Sequence, residues 1–347
     1  MLKRIFIVIV LVYISTICYS QTLGGNAVFN FLSQPNTAQL SALGGVNISS
    51  IGNDVGMAFH NPALLRNEMH QQVNTSFNSF LAGINQYGAT AAFHVANKNL
   101  NLGVGVQYLN YGTLVQADAS GNVLGNFRPN DYVVQMMVSK KYNENFWIGA
   151  TAKYIQSNYG MFRSNALAMD IGLLYFNKEH EIQASLLVKN LGTQLATYNN
   201  DGRKEELPFD VQAGISKKLK KAPLQFSLTA HNLQRLNIYY NDTTFSASEG
   251  GANAEGLQKV FAHLVLSTQV YLSENIELNF GYNFLRRQDL NVSGITSGLN
   301  GFTLGTGILI KKLQIRYGTG FYQRNMFHQI SLNFNINGNA LSSSPIN

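Results

Sequence analysis

The sequence predicts an all-β chain, a 14-stranded antiparallel transmembrane β-barrel with an N-terminal plug. Three observations predict it. Apolar and polar residues alternate with period two in segment after segment. The apolar rows of these segments hold no Asp, Glu or Arg, and no Lys other than the terminal Lys140 at a short link. The links between segments alternate between short and long.

Composition agrees. Of 347 residues only 12% are charged, while 31 are Gly, 21 Phe and 17 Tyr. A mean hydropathy of −0.05 is too polar for a bundle of membrane helices. After residue 20 no run reaches the roughly 18 apolar residues that a spanning helix needs. The net charge of +7 shows no basic and aromatic patch, which argues against a nucleic-acid partner.

The first twenty residues read as a secretory signal peptide. Lys3 and Arg4 precede the apolar stretch Ile5 to Ile17, and the small residues Cys18 and Ser20 come before Gln21. Ile17 stands where lipid attachment at Cys18 would want a small residue. Cys18 is the only cysteine, so a chain starting at Gln21 has no disulfide, thiolate chemistry or Cys-based metal site.

Fourteen strands are expected near 73–81, 86–95, 100–110, 131–140, 145–155, 165–175, 181–190, 208–216, 223–231, 260–272, 275–284, 301–310, 313–321 and 327–336. Each approaches the length that a tilted membrane strand requires. In the third, Leu100, Leu102, Val104, Val106 and Tyr108 alternate with Asn101, Gly103, Gly105 and Gln107. The rows opposite the apolar ones carry Lys153, Asp170, Lys189, Asp210, Glu277 and Arg316, which are therefore lumen charges. A Lys or Arg on the lipid face costs about 2–4 kcal/mol at the midplane, so a bilayer enforces this segregation. A soluble sandwich would carry far more charge on its outer face.

The short links are rich in lysine: Lys98, Lys140, Lys141, Lys178, Lys217, Lys218, Lys220, Lys221, Lys311 and Lys312. Outer-membrane barrels have short periplasmic turns and long extracellular loops, which fits an even strand count and a periplasmic N-terminus. Tyr87, Tyr108, Tyr132, Tyr154, Tyr282 and Tyr317 then form a girdle near the extracellular ends of their strands. Residues 337–347 form a periplasmic tail.

Residues 21–72 do not alternate. They hold a short helical stretch from Ala38 to Leu43, then Gly44-Gly45, then a phrase containing Asn61, Pro62, Ala63 and Leu64. A fourteen-strand lumen is wider than side chains alone can close. Gly88, Gly103, Gly105, Gly149, Gly172, Gly214, Gly281, Gly305, Gly307, Gly318 and Gly320 all fall on inward rows, and strand glycines mark close backbone approach. Residues 21–72 are therefore expected to fold into the barrel as a plug.

The phrase NDVGMAFHNPALL resembles the hatch of the FadL family of outer-membrane barrels. Within that superfamily, GGNAVFNFLSQPNTAQLSALGG, LLVKNLGTQL (186–195), GYNFLRRQDL (281–290) and GLNGFTLGTGI (298–308) resemble the PorV/PorQ branch of the type IX secretion system of Bacteroidetes. The resemblance spans essentially the whole mature chain. It implies a scaffold that holds a large surface partner resembling PorZ, together with PorU-like and PorV-like members, and attaches cargo to lipopolysaccharide. The alternatives are a FadL-like importer of hydrophobic small molecules, or a PorV-like cargo shuttle.

No grouping of residues supports catalysis, a cofactor or a metal ion. His263 and Ser267 share an inward row, but four strand residues span about 13 Å, too far for a nucleophile and its base. His94 and His231 are expected as hydrogen-bonded lumen residues. Asp170 is expected to pair with Lys153 or Lys189 and so hold the plug. QADASGNVLG, around Asp118, lacks the spacing of a calcium loop. Arg286 and Arg287 open a long outer loop, where they could meet outer-membrane lipids such as lipopolysaccharide or remain solvated. In the long loops 111–130 and 232–259, Phe127, Arg128, Tyr239, Tyr240 and Phe245 are candidate partner-binding residues, because aromatic and Arg side chains commonly anchor interfaces.

A heat-modifiable membrane protein is expected, with its N-terminus at Gln21. Terminal sequencing and a gel shift between unboiled and boiled samples check this, and recovery as a soluble periplasmic protein would contradict it.

Overall fold

The structure is a computed structural model describing residues 27–50, 52–199, 202–235, 238, 256–290, 298–310, 312–323 and 325–337. The expected signal peptide (1–20), Tyr239, Tyr240, Phe245 and all but the first residue of the expected C-terminal tail lie outside the described residues. The strands are β1 (Gln72–Ser79), β2 (Asn85–Val95), β3 (Leu100–Asn110), β4 (Leu114–Ala117), β5 (Val123–Phe127), β6 (Asn130–Lys141), β7 (Phe146–Tyr159) and β8 (Phe162–Asn177). They continue as β9 (Ile182–Ala196), β10 (Asp210–Lys218), β11 (Leu224–Ala230), β12 (Leu264–Ser273), β13 (Ile276–Asn283), β14 (Phe302–Ile310), β15 (Leu313–Tyr322) and β16 (Asn325–Asn335).

All but β4 and β5 form one closed barrel of fourteen antiparallel strands in sequence order, and β1 pairs with β16 to close it. Closure leaves the barrel no free edge. The two faces separate as the alternation requires. Val104, Val106, Met136, Leu167, Met169 and Ile330 are exposed on the outer wall, whereas Gln107, Gln135, Asp170 and Gln329 are buried inside. Tyr87 packs between Phe77 and Tyr108, with tilted rings and centroids 5.3 Å and 6.3 Å away, forming part of the aromatic girdle at the long-loop end.

Four differences from the expected strands have local causes. The residues expected to begin the strand at 260 form helix α3 (Gly256–Ala262). Phe284, expected at a strand end, starts helix α4 (Phe284–Asp289), because the Asn283 side chain caps the Arg286 N–H at 2.9 Å. β4 and β5, within the expected loop 111–130, form a separate two-stranded ribbon; Asp118 closes its turn, accepting from Ser120 N at 2.9 Å and Asn122 N at 2.8 Å. β7, β8 and β9 run well past their expected outer ends, and β7 meets β8 through a two-residue turn, Gly160 and Met161.

β9 extends through a bulge. Met169 pairs with Leu191 and Ile171 with Val188, so Lys189 and Asn190 together oppose Asp170. Asn190 takes a φ of 58°, and its N–H leaves the ladder to donate to Asp170 Oδ1 at 2.8 Å. Beyond it, β9 no longer pairs with β10, whose ladder stops at Asp210 opposite Lys189.

The plug fills the lumen, and its direction is not the one expected. Residue 27 lies at the long-loop end, bridged to Glu206, with Val28 N donating to Glu206 O at 3.0 Å. The chain then descends through the lumen. Gln86 donates to Pro35 O at 2.8 Å, helix α1 (Ala38–Ala42) lies on β14 to β16, and Ser50 donates to Gln269 at 2.6 Å. Helix α2 (Val55–Ala58) follows, and Asn335 donates to His70 O at 2.8 Å beside the start of β1. The loop alternation survives because β1 still starts at the short-turn end.

The inward glycines leave room for this backbone. A Cβ added at Gly149 would overlap the Pro62 carbonyl, at Gly281 the Gly44 nitrogen, and at Gly318 the Ala38 carbonyl. Gly307 and Gly320 differ: they face the barrel's own Glu277 and Phe327. Apolar plug residues complete the filling, as Phe29, Phe31 and Leu32 pack on Leu109, Val133 and Ile155, and Leu40, Leu43 and Leu64 pack on Leu174 and Phe176.

Deleting residues 22–65 is expected to open a pore or to block assembly, as read by conductance in planar bilayers and by the heat-shift assay. Gly149→Leu should weaken assembly, while Ala150→Leu on the outward row should not. A folded deletion with unchanged conductance and detergent sensitivity would contradict a structural plug.

Candidate functional site

The polar groups of the described chain converge on the lumen, where wall and plug meet in two buried ionic clusters. The first is built on the β9 bulge. Lys153 Nζ lies 2.6 Å from Asp170 Oδ2, with the two side chains 2% and 0% exposed. The same amine donates to Asn190 Oδ1 at 2.8 Å, and Asn190 Nδ2 donates to Pro208 O at 2.8 Å. Asp170, Lys153 and Asn190 thus close a triangle that fixes the bulge and ties it to the loop after β9. Lys189 points elsewhere, donating to Leu32 O at 3.2 Å and meeting His60 Nδ1 at 2.7 Å. Asn36 N donates to His60 Nε2 at 3.2 Å, so this histidine joins two stretches of the plug to the wall.

The second cluster is centred on Arg316. Its Nε donates to Glu277 Oε1 at 2.7 Å, its Nη1 lies 3.3 Å from Asp54 Oδ2 and donates to Gln314 Oε1 at 2.5 Å. Asp54 also caps α2, accepting from Gly56 N at 2.8 Å, and it accepts from Asn74 at 2.9 Å and Thr37 at 2.8 Å. One guanidinium therefore serves two carboxylates, and dense hydrogen bonding makes that burial tolerable.

The remaining candidates sort as follows. Asn61 Oδ1 caps the turn Pro62–Leu64 by accepting from Ala63 N at 3.0 Å, while its amide donates to Ile48 O at 2.8 Å and Ser185 at 2.9 Å. Asp210 is not part of either ion cluster; it is half-buried at the outer end and accepts from Asn232 N and Gln212, both at 2.6 Å. Phe127 pairs with Leu114 in the ribbon, and Arg128 donates to Thr113 at 3.2 Å. Arg286 lies over the Tyr322 ring at 5.4 Å, and Arg287 donates to Gly298 O at 2.7 Å. Ser267 accepts from Asn47 at 3.1 Å, His263 Nδ1 lies 2.8 Å from His231 O, and His94 Nδ1 lies 2.7 Å from Asn101. These serine and histidine groups hold structure together.

Two features of the outer mouth were not expected. Asp131 sits beneath a tyrosine cluster: Tyr111 donates to it at 2.6 Å, Ser157 also donates to it, and Tyr198 donates to Ser157 at 2.6 Å. Burial first, then the Asp131 side chain, pushes the Tyr111 phenol above its ordinary range, and burial foremost pushes Tyr198 up to about 12. Both therefore stay protonated donors at neutral pH. Beside the cluster an apolar pocket of about 300 Å³ is lined by Phe31, Phe80, Ile84, Leu109, Tyr322 and Phe327.

This geometry defines a class: a closed, plugged, fourteen-strand antiparallel barrel with an apolar outer wall. No family model and no curated protein matches the sequence. Among solved structures the chain is similar to the CymD monoaromatic hydrocarbon channel, at 11% identity and a TM-score of 0.50 over 88% of this chain and 97% of that one. It is also similar to the Pseudomonas putida toluene transporter TodX, at 10% identity and a TM-score of 0.51 over 86% and 97%. Such identity shows the fold alone, a closed antiparallel barrel of the kind those two proteins share.

Asp170→Ala should destabilise the barrel by about 3–5 kcal/mol, because it leaves Lys153 buried and unpaired. Replacing both, as Lys153→Met with Asp170→Leu, should recover much of that loss. Urea unfolding followed by the gel shift reads both, and equal stability of Asp170→Ala and wild type would show that the pair contributes nothing.

Proposed function

We propose that this chain is a non-enzymatic scaffold in the outer membrane that holds a surface partner of the type IX secretion machinery. One structural observation supports a platform over a path: the lumen is filled by a plug that buried charges and hydrogen bonds join to β1, β9, β10, β12 and β13 to β16. The long-loop end supplies surface for a partner. The β4–β5 ribbon exposes Val115 at 62%, Val123 at 70% and Leu124 at 63%, and Met161 caps the β7–β8 turn at 80%. The resemblance of NAVFNFLSQP and LLVKNLGTQL to the PorV/PorQ branch supplies the system, and the first phrase and the moderate length favour the PorQ-like member. The partner in this reading is a PorZ-like surface protein, with PorU-like and PorV-like members in the same assembly, acting where cargo joins lipopolysaccharide. The cluster residues have no catalytic task in this proposal.

A second reading has its own support. The pocket at the outer mouth is apolar, and the names of CymD and TodX describe a hydrocarbon channel and a toluene transporter. An importer of hydrophobic small molecules would use such a pocket as its entrance.

Replacing residues 233–257, or separately 114–127, with short Gly-Ser loops is expected to release the surface partner from the membrane while the barrel keeps its heat shift. Intact secretion and cargo attachment in those variants and in a gene deletion, together with lost uptake of a hydrophobic substrate, would reject the scaffold and favour the importer.

A further inference from the structure

The outer wall of β7 to β12 is not smooth. Phe146, Tyr175, Ala184, Ile215 and Leu228 lie side by side through successive register pairs. The next row, from Leu173 to Leu264, includes Ala213 and Ala230. Alanines among large neighbours hollow the wall into an apolar groove of about 500 Å³. The groove belongs to the lipid-facing surface, since Leu186 is 57% and Ile215 50% exposed.

Lysines are densest under this groove. Lys217 follows Ala213 and Ile215 in the same outward row, pairing with Ile182 and Phe226. Its amine donates to His180 O in the neighbouring turn, and Lys218 N donates to Glu181 O at 3.1 Å, so the two turns form one rim. Lys178, Lys220 and Lys221 are exposed on that rim and form no salt bridge among the described residues. Lys218 belongs to the inner side, its amine 5.5 Å from the Tyr271 ring centre. Glu179 and Glu181 share the turns but are outnumbered.

We propose that this groove and its rim are a binding site for one anionic glycerophospholipid of the leaflet at the short-turn end. An acyl chain lies along the alanine-floored groove, and the phosphate and its additional negative charge sit among Lys178, Lys217, Lys220 and Lys221. The chemistry has two parts that must coincide, and here they do. A groove open to hydrocarbon admits an acyl chain, which a soluble acidic protein cannot supply. A cluster of ammonium groups at headgroup height distinguishes an anionic from a zwitterionic head by its net charge. Lipopolysaccharide occupies the leaflet at the long-loop end, away from this rim. The site requires only that the barrel lies in a bilayer, and it does not depend on any secretion partner.

Native mass spectrometry of the purified barrel in mild detergent tests this. Phosphatidylglycerol and phosphatidylethanolamine with identical acyl chains are titrated in separately. The wild type should retain one phosphatidylglycerol about tenfold more tightly than phosphatidylethanolamine. The triple variant Lys178→Glu, Lys220→Glu, Lys221→Glu should lose that preference. Ala213→Phe should weaken retention of both lipids by filling the groove. Lys98→Glu with Lys312→Glu, elsewhere on the rim, should behave as wild type, and the heat shift verifies folding of every variant. Equal retention of both lipids by the wild type, an unchanged triple variant, or the same loss in the Lys98/Lys312 control would overturn the site. Unchanged lipid retention with salt-sensitive loss of a co-purifying acidic protein would assign the lysines to that protein instead.

Discussion

The constraint on which the structure depends is the width of its own lumen. Fourteen tilted strands enclose more space than inward side chains can fill. The space must hold water or protein, and here it holds the chain's own N-terminal segment. That choice explains the wall. Glycine on inward rows costs the strands packing and entropy, and it is tolerated at Gly149, Gly281 and Gly318 because the plug backbone runs where a Cβ would stand. It also explains the buried polar groups. A plug backbone with irregular structure carries amides and carbonyls that must find partners, and Gln86, Gln135, Asn283 and Asn333 donate to plug carbonyls from the wall.

The charged clusters act differently from this neutral lining. Side-chain amides can satisfy many alternative arrangements, whereas a buried ion that loses its partner is costly in every other position. Asp54 through Arg316, and His60 through Lys189, therefore specify which residues of the plug meet which strands. Asp170 has a further role. By accepting the Asn190 N–H it stabilises a break in the ladder, and above that break β8 and β9 rise without β10. The wall is thus tall on one side and low on the other, and the loop carrying Leu207 and Pro208 folds into the low side.

Much of this was legible in the sequence because a bilayer is a strict reader of alternation. Each of the fourteen barrel strands was visible as an outward row that, over its expected span, carries charge only at the short-turn end, as at Lys140, and the plug was visible as its complement, a non-alternating segment facing inward glycines. The Lys153–Asp170 pair was visible because both lie on inward rows of neighbouring strands. What escaped detection depends on events that alternation does not encode. The bulge at Asn190 shifts parity by one residue, so the strand seemed to stop there. Helices α3 and α4 are short, of seven and six residues; Asn283 caps α4, and Phe261 of α3 packs on Phe284 of α4. Asp54 carried a signal that could have been used, since an Asp just before a short helical run is an N-cap; its second bond, to Arg316, joins residues far apart in sequence. The threading direction of the plug had no sequence signal, because an inward glycine reads the same whichever way the facing backbone runs.

The central claim is that the N-terminal segment is an integral layer of the barrel, as fixed as the wall. Amide hydrogen exchange of the detergent-solubilised protein, resolved by fragment, measures this directly. Peptides covering Ala38–Ala42 and residues 55–65 should exchange as slowly as those of β3 and β15. Exchange of these peptides within seconds while the strands stay protected would show a loosely held segment, and would contradict the account.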